Sequence, residues 1–179
     1  MPDTTKTSES SDESCAKMAV QGSIPAFEIL VHRYESKLLS FLSLKTGNKQ
    51  DAEDLLQNTF LKAYHKLNTF DLSKRFSTWI YAIAYHELIS HIRKRRPEIE
   101  LTGNDEAYSP FPLKSLWNEL KALLDDKDYV LLWLHYGAGY SIKEVGEIID
   151  KKESAVKTAL HRLRNKIPGL LAKDGILNT

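Results

Sequence analysis

A single cysteine in 179 residues, Cys15, leaves no partner for an internal disulfide and no set of thiolates for a metal site, and it fits a reducing cytoplasm. Long apolar runs are also missing. The most hydrophobic stretches, residues 79–85 and 130–134, fall far short of the roughly 20 residues that span a bilayer, so no membrane insertion is expected. Residues 1–17 are rich in Ser and Thr and carry Asp3, Glu9, Asp12 and Glu13, without the basic and apolar parts of a leader. A disordered tail over residues 1–19 is the expectation there. No glycine-rich phosphate loop and no nucleophile elbow occurs, so catalysis by the chain itself is not expected, and neither is a cofactor. His86 and His91 resemble a zinc-hydrolase pair only superficially. Five residues apart on a helix they are rotated by roughly 140°, whereas a zinc pair needs i and i+4, so no metal site is expected.

What is present is helical periodicity almost everywhere, and no convincing strand pattern. A first helix is predicted over residues 25–43, with Phe27, Leu30, Val31, Tyr34, Leu38, Phe41 and Leu42 on one face. Thr46, Gly47 and Asn48 break it, and Asn48 with Asp51 can cap a second helix that buries Ala52, Leu55, Leu56, Thr59, Phe60, Ala63 and Leu67. A polar break over residues 68–74 leads to a third, through Phe76, Ile80, Ile83, Ala84, Leu88 and Ile92, which ends in four cations, Arg93 to Arg96, and Pro97. Cations suit a helix C-terminus, so part of that run has a structural explanation.

Three of the six prolines, Pro97, Pro110 and Pro112, fall with Gly103 in one aperiodic stretch. It reads as a linker over residues 97–112 between two small domains, 20–96 and 113–169, with a C-terminal tail from 170 to 179. The fold class is therefore all-α: two small helical domains on a flexible tether. Further helices are predicted near residues 115–124 and 128–136. Ser141 with Glu144 is then a capping-box start. Val145 and Ile149 lie four apart, so they share a buried face. Gly146 gives a second helix room to approach, Asp150 can turn the chain, and Val156, Leu160 and Leu163 stripe the next helix. This is the spacing of a helix-turn-helix. Opposite its stripe, Ser154, Lys157, Thr158, His161, Arg162 and Asn165 offer the polar groups that a major-groove recognition helix needs.

Charge is local. The whole chain has a net charge of +1, yet residues 151–166 hold six Lys or Arg against one Glu, a net of +5. Residues 113–150 hold four Lys against seven acids, a net of −3. Such a basic helix is either a solvated face or a footprint for phosphate, and the helix-turn-helix spacing favours DNA.

The segments DAEDLLQNTFLKAY at 51–64, FSTWIYAIA at 76–84 and AVKTALHRLR at 155–164 carry a family resemblance. Residues 21–96 resemble the second conserved region of sigma factors and residues 113–166 the fourth, with the middle region of larger members absent. That two-domain form is the extracytoplasmic function group of the sigma-70 family. The resemblance implies a dissociable subunit that binds core RNA polymerase through the β′ clamp helices and the β flap, recognises −10 and −35 promoter elements, and answers to an anti-sigma factor. It implies a cytoplasmic location.

It also gives meaning to a polar stripe on the second helix. Asp54, Gln57, Asn58 and Leu61, spaced i, i+3, i+4 and i+7 opposite the buried face, otherwise read as a solvated face with one stray leucine. The resemblance implies that they contact the core enzyme. For the −10 element it implies a base flipped into the loop after that helix, where Asn68, Thr69, Phe70, Asp71, Leu72 and Ser73 supply amide, hydroxyl and aromatic groups. Phe70 is equally placed to be a hydrophobic plug, and Trp79 fits a core position. Lys74, Arg75, His86 and Arg93 complete the −10 set. For the −35 element the expected contacts are Ser154, Lys157, Thr158, His161 and Arg162, with Lys151, Lys152, Arg164 and Lys166 on phosphates. Ala82, His86 and Ala159 stand where related sequences often carry Arg or Asn, so no promoter consensus can be read. A stand-alone helix-turn-helix regulator is the alternative, but it has no use for the Asp54–Leu61 stripe. A pure protein-interaction module would leave the basic helix unexplained.

Overall fold

The computed structural model describes residues 10–94 and 114–173, and no strand occurs among them. The chain divides into two compact units, Met1–Tyr108 and Ser109–Thr179.

In the first unit, α1 (Asp12–Val20), α2 (Ile24–Leu42), α3 (Lys49–Lys66) and α4 (Phe76–Lys94) pack together, and a 3-10 turn, Leu67–Thr69, closes α3. The starts of α1, α2 and α3 have polar caps. Ser23 accepts from the Ala26 N–H at 3.4 Å, with Pro25 in the first turn of α2. Asn48 Oδ1 accepts from the Asp51 N–H at 2.8 Å. The buried stripes of α2 and α3 follow their spacing: Leu30, Tyr34, Leu38 and Phe41 on one, Ala52, Leu55, Leu56, Thr59 and Ala63 on the other. Phe60 is only half-buried, because its position lies at the edge of that stripe. On α4 the aromatic Tyr81 is buried against Phe41, with ring centroids 5.2 Å apart, while Ile83 and Ile92 stay half-buried. Lys62 pairs with Glu87, tying α3 to α4 on the outside.

The tail expected over residues 1–19 is a helix from Asp12 onward, a correction with a clear cause. Ser11 caps α1 by accepting from the Ser14 N–H at 3.2 Å. Cys15, Ala16 and Ala19, at i, i+1 and i+4, form a buried face that packs on α2. Asp12 accepts from Arg33 Nη1 at 2.8 Å and from the Tyr34 hydroxyl at 2.5 Å. Burial pushes the Asp12 carboxyl up, but these two hydrogen bonds outweigh it and hold the group below its ordinary value. Residues 1–9 and the expected linker, 97–112, lie outside the described residues.

The second unit holds α5 (Lys114–Leu123), α6 (Asp126–Leu132), α7 (Ile142–Ile149) and α8 (Glu153–Lys173). Asp125 caps α6, accepting from the Asp128 N–H at 2.9 Å, and Tyr129, Val130, Leu131 and Leu132 are buried behind it. The helix predicted to run to residue 136 widens instead into a π turn, Trp133–Gly137, in which the Ala138 N–H reaches the Trp133 carbonyl at 2.8 Å. The capping box at Ser141 and Glu144 is formed in both directions. Val145 and Ile148 are the fully buried pair on α7, while Ile149 is half-buried. The turn uses Asp150 in a left-handed conformation at φ 53°. A Cβ on Gly146 would sit 2.6 Å from the Lys151 carbonyl oxygen, so the glycine makes room for the turn's own backbone rather than for the next helix. Residues 170–173 of the expected C-terminal tail belong to α8, which runs to Lys173 and buries Leu171, and residues 174–179 lie outside the described residues.

Candidate nucleic-acid and partner interfaces

On α3 the sequence periodicity sends Asp54, Gln57, Asn58 and Leu61 away from the buried stripe, and all four are exposed. Leu61 is 58% exposed, a large apolar side chain with no cover in the unit. The exposed row continues for one further turn of α3. Tyr64, three residues beyond Leu61, is 47% exposed and stacks at a tilt on Phe27 with centroids 5.4 Å apart. Beside it lies a groove of about 310 Å³ whose apolar lining includes Ala19, Val20, Ile24, Phe27 and Leu67. The i+3 spacing from Leu61 was the available signal for Tyr64.

The loop between α3 and α4 separates into a buried brace and an exposed rim. Phe70, offered as a possible DNA contact, is a plug. It is 7% exposed and meets Phe76 edge-on at 5.8 Å and Trp79 at 5.0 Å. Its aromatic faces are spent on the core, which leaves neither one open for a base to stack on. The rim is built of Asn68, Thr69, Asp71, Leu72 and Ser73, all exposed. Asp71 Oδ1 accepts from the Ser73 N–H at 2.9 Å and from the Ser73 hydroxyl at 2.7 Å, a local turn that holds the carboxyl below its usual range. Thr69 donates its hydroxyl to the Lys66 carbonyl at 2.8 Å, which leaves the Asn68 amide as the exposed group with full hydrogen-bonding capacity in both senses. Lys74, Arg75, His86 and Arg93 are exposed as well, the last two on α4.

On α8, Val156, Leu160 and Leu163 are buried, and Ser154, Lys157, Thr158, His161, Arg162, Arg164 and Lys166 are exposed, with Lys151 and Lys152 exposed in the preceding turn. The positive charge counted along the sequence is partly engaged inside the unit. Lys157 pairs with Glu153 at 2.8 Å, which depresses the Glu153 carboxyl. Arg164 Nη2 donates to the Tyr136 hydroxyl at 3.2 Å, and that bond raises its own proton affinity further. Arg162 Nη2 donates to Asp128 Oδ1 at 2.6 Å. Thr158 returns its hydroxyl to the Ser154 carbonyl at 2.9 Å. No sequence signal linked Asp128 to Arg162, since the two are 34 residues apart on different helices.

No cluster of His, Cys, Asp or Glu able to hold a metal occurs among the described residues, and none of their helices is long and apolar enough to cross a membrane. The sigma-70 region 2 profile matches residues 30–98, and the sigma-70 region 4 profile matches residues 119–167. The ECF RNA polymerase sigma factor SigW of Bacillus subtilis (strain 168) is 29% identical over 84% of this chain and 91% of its own length. The RNA polymerase sigma factor YlaC of the same organism is 30% identical over 83% of this chain and 94% of its own. Among solved structures, CnrH in complex with the cytosolic domain of CnrY superposes with a TM-score of 0.71 at 26% identity, over 91% of this chain and 98% of that one.

Proposed function

The chain belongs to the sigma-70 family of transcription initiation factors, in its extracytoplasmic function group, and from that premise we propose how its two units divide the work. It is a sigma factor that binds core RNA polymerase and directs initiation at promoters. The observation that carries this is the order of the two matched regions, region 2 before region 4, in one chain of sigma-factor length.

In our reading, residues 20–96 bind the core enzyme and open the −10 element. The stripe of Asp54, Gln57, Asn58 and Leu61 meets the β′ clamp helices. Leu61 is the apolar anchor, and the polar groups fix register around it. The rim of Asn68, Thr69, Asp71 and Ser73 receives a base extruded from the non-template strand, and contacts to that base offset a few kcal/mol of unstacking. Phe70, held by Phe76 and Trp79, braces the rim from beneath. Lys74, Arg75, His86 and Arg93 face the phosphates. Residues 97–112 tether this domain to residues 113–169, which read the −35 element. There Ser154, Lys157, Thr158, His161 and Arg162 face base edges, and Lys151, Lys152, Arg164 and Lys166 face phosphates.

An anti-sigma factor is proposed as a further partner, supported by family membership and by the complex in which the similar CnrH was solved. A cytoplasmic site of action follows from the need to meet polymerase and chromosome. The protein performs no chemistry of its own in this scheme, and we assign it no metal and no cofactor. The test is transcription in vitro with purified core polymerase on a promoter library. Initiation that depends on the added chain and enriches two sequence blocks is expected. DNA binding without core, and no new start sites with it, would instead favour a stand-alone helix-turn-helix regulator.

A further inference from the structure

We propose that Asp128, a buried residue on α6, is a positioning residue for −35 recognition because it orients the guanidinium of Arg162. The proposal rests on the reading of Arg162 as a base-edge contact and adds what sets its aim. The two side chains are unequally placed. That of Asp128 is 10% exposed, that of Arg162 is 62% exposed, and Nη2 of the arginine lies 2.6 Å from Oδ1 of the aspartate. One donor of the planar fork is thus tied down inside the unit while most of the side chain stays open to solvent. An arginine has five donors in fixed geometry, so fixing one of them restricts where the others point. A long side chain that already holds its bound orientation loses less freedom on binding, and a bidentate contact to a guanine edge depends on that orientation.

The surroundings of Asp128 make this arrangement specific to its charge. Burial is the largest influence on its carboxyl and pushes its pKa up, as does neighbouring Asp125, and the positive charge of Arg162 opposes both. An unpaired carboxylate here would be costly, so the ionised Asp128 holds on to Arg162. Lys166, one turn beyond Arg162, also exerts its charge on both aspartates, but from an exposed position and through space alone. Arg162 is therefore the aimed cation and Lys166 the mobile one. If Asp128 loses its charge, Arg162 becomes mobile too, and the nearest strong attraction is the phosphate backbone. A base contact is exchanged for a phosphate contact, so sequence preference falls while salt dependence rises.

The experiment uses holoenzyme, the full chain with core polymerase, on promoters randomised at the −35 element and titrated with salt. Arg162→Ala is expected to relax preference at one or two positions by about fivefold or more. Asp128→Asn is expected to relax the same positions and to steepen the log–log salt slope by about 0.9. Asp128→Glu, which keeps the charge, should restore part of the preference. Asparagine keeps the backbone cap from Asp125 and removes a like-charge repulsion, so folding is expected to hold, and Asp128→Ser provides a second neutral variant if it does not. If Arg162→Ala relaxes preference but the neutral Asp128 variants keep the wild-type ranking and slope, the positioning role is overturned and the base contact stands. An equal loss on every sequence with the slope unchanged makes Asp128 a structural support only, which also overturns it. Unchanged preference in Arg162→Ala overturns the base-contact reading, and the positioning role with it.

Discussion

The two units hold their working surfaces in different ways. In the first, apolar packing supports the surface: Phe70 rests on Phe76 and Trp79 beneath the loop, and Tyr64 leans on Phe27 at the end of the α3 stripe. In the second, charge pairing does so: Arg162 is held by Asp128, Lys157 by Glu153, and Arg164 by the hydroxyl of Tyr136. The difference suits the targets. A surface that must stabilise an extruded base or seat another protein's helix needs a rigid shape. A helix lying in the major groove needs donors aimed at base edges among cations that are free to meet phosphate. Truncating an apolar residue should therefore injure the first unit most, and removing a charge that aims a base-facing side chain should alter what the second one prefers.

The largest effect is expected from Phe70→Ala. Removing a buried aromatic side chain costs about 3–5 kcal/mol, so thermal unfolding of the first unit should move down sharply and promoter opening should fail, while −35 preference in any surviving holoenzyme is retained. A melting temperature within error of wild type would mean that Phe70 is not a brace. Next comes the α3 stripe. Reversing the charge at Asp54 together with Leu61→Ala should weaken core polymerase binding by about tenfold or more, as loss of a buried anchor does at other interfaces. Helicity by circular dichroism should not change, because both residues lie outside the buried face. Undiminished core affinity in a competition assay would remove the stripe from the interface.

A smaller and different change is expected in the second unit. Lys152→Ala should weaken DNA binding by holoenzyme similarly on all −35 sequences and flatten the salt slope by about one, since it is exposed in the turn before α8. A sequence-dependent loss would make Lys152 a base reader instead. The smallest effect belongs to a charged contact in the first unit, that of Asp12 with Arg33. Asp12→Asn should loosen α1 by about 1 kcal/mol or less, the partial exposure of the site screening it. The sign with pH is fixed by the lowered carboxyl. Its contribution is present above the ordinary aspartate range and fades as pH falls through the depressed value, so wild type and Asp12→Asn should converge in acid. Hydrogen exchange of α1 amides, compared at neutral and acid pH, reads this directly, and a difference that grows in acid would contradict it.

Much of this was legible in the sequence because it follows from spacing along one helix. The stripes of α2 and α3, the capping box at Ser141 and the turn at Asp150 needed only local periodicity and turn chemistry. The Asp54–Leu61 row was visible for the same reason. What escaped depended on contacts between distant residues. The polar composition of residues 1–17 hid the short face of Cys15, Ala16 and Ala19, whose value appears only once α2 offers Arg33 and Tyr34. Phe70 could be read as a plug or as a reader until Phe76 and Trp79 were seen against it. The net charge of residues 151–166 overstated the free cations of α8, because Asp128 approaches from another helix.

The division of labour is tested most directly by a loop exchange that respects the brace. Asn68, Thr69, Asp71 and Ser73 would be replaced by the residues of a related sigma factor, with Phe70 kept. Holoenzymes carrying the two loops would then transcribe one library randomised at both promoter elements. A changed base preference in the −10 block with the −35 ranking unaltered is the predicted result. Both blocks unchanged, or both changed together, would contradict the assignment of the two elements to two separately supported surfaces.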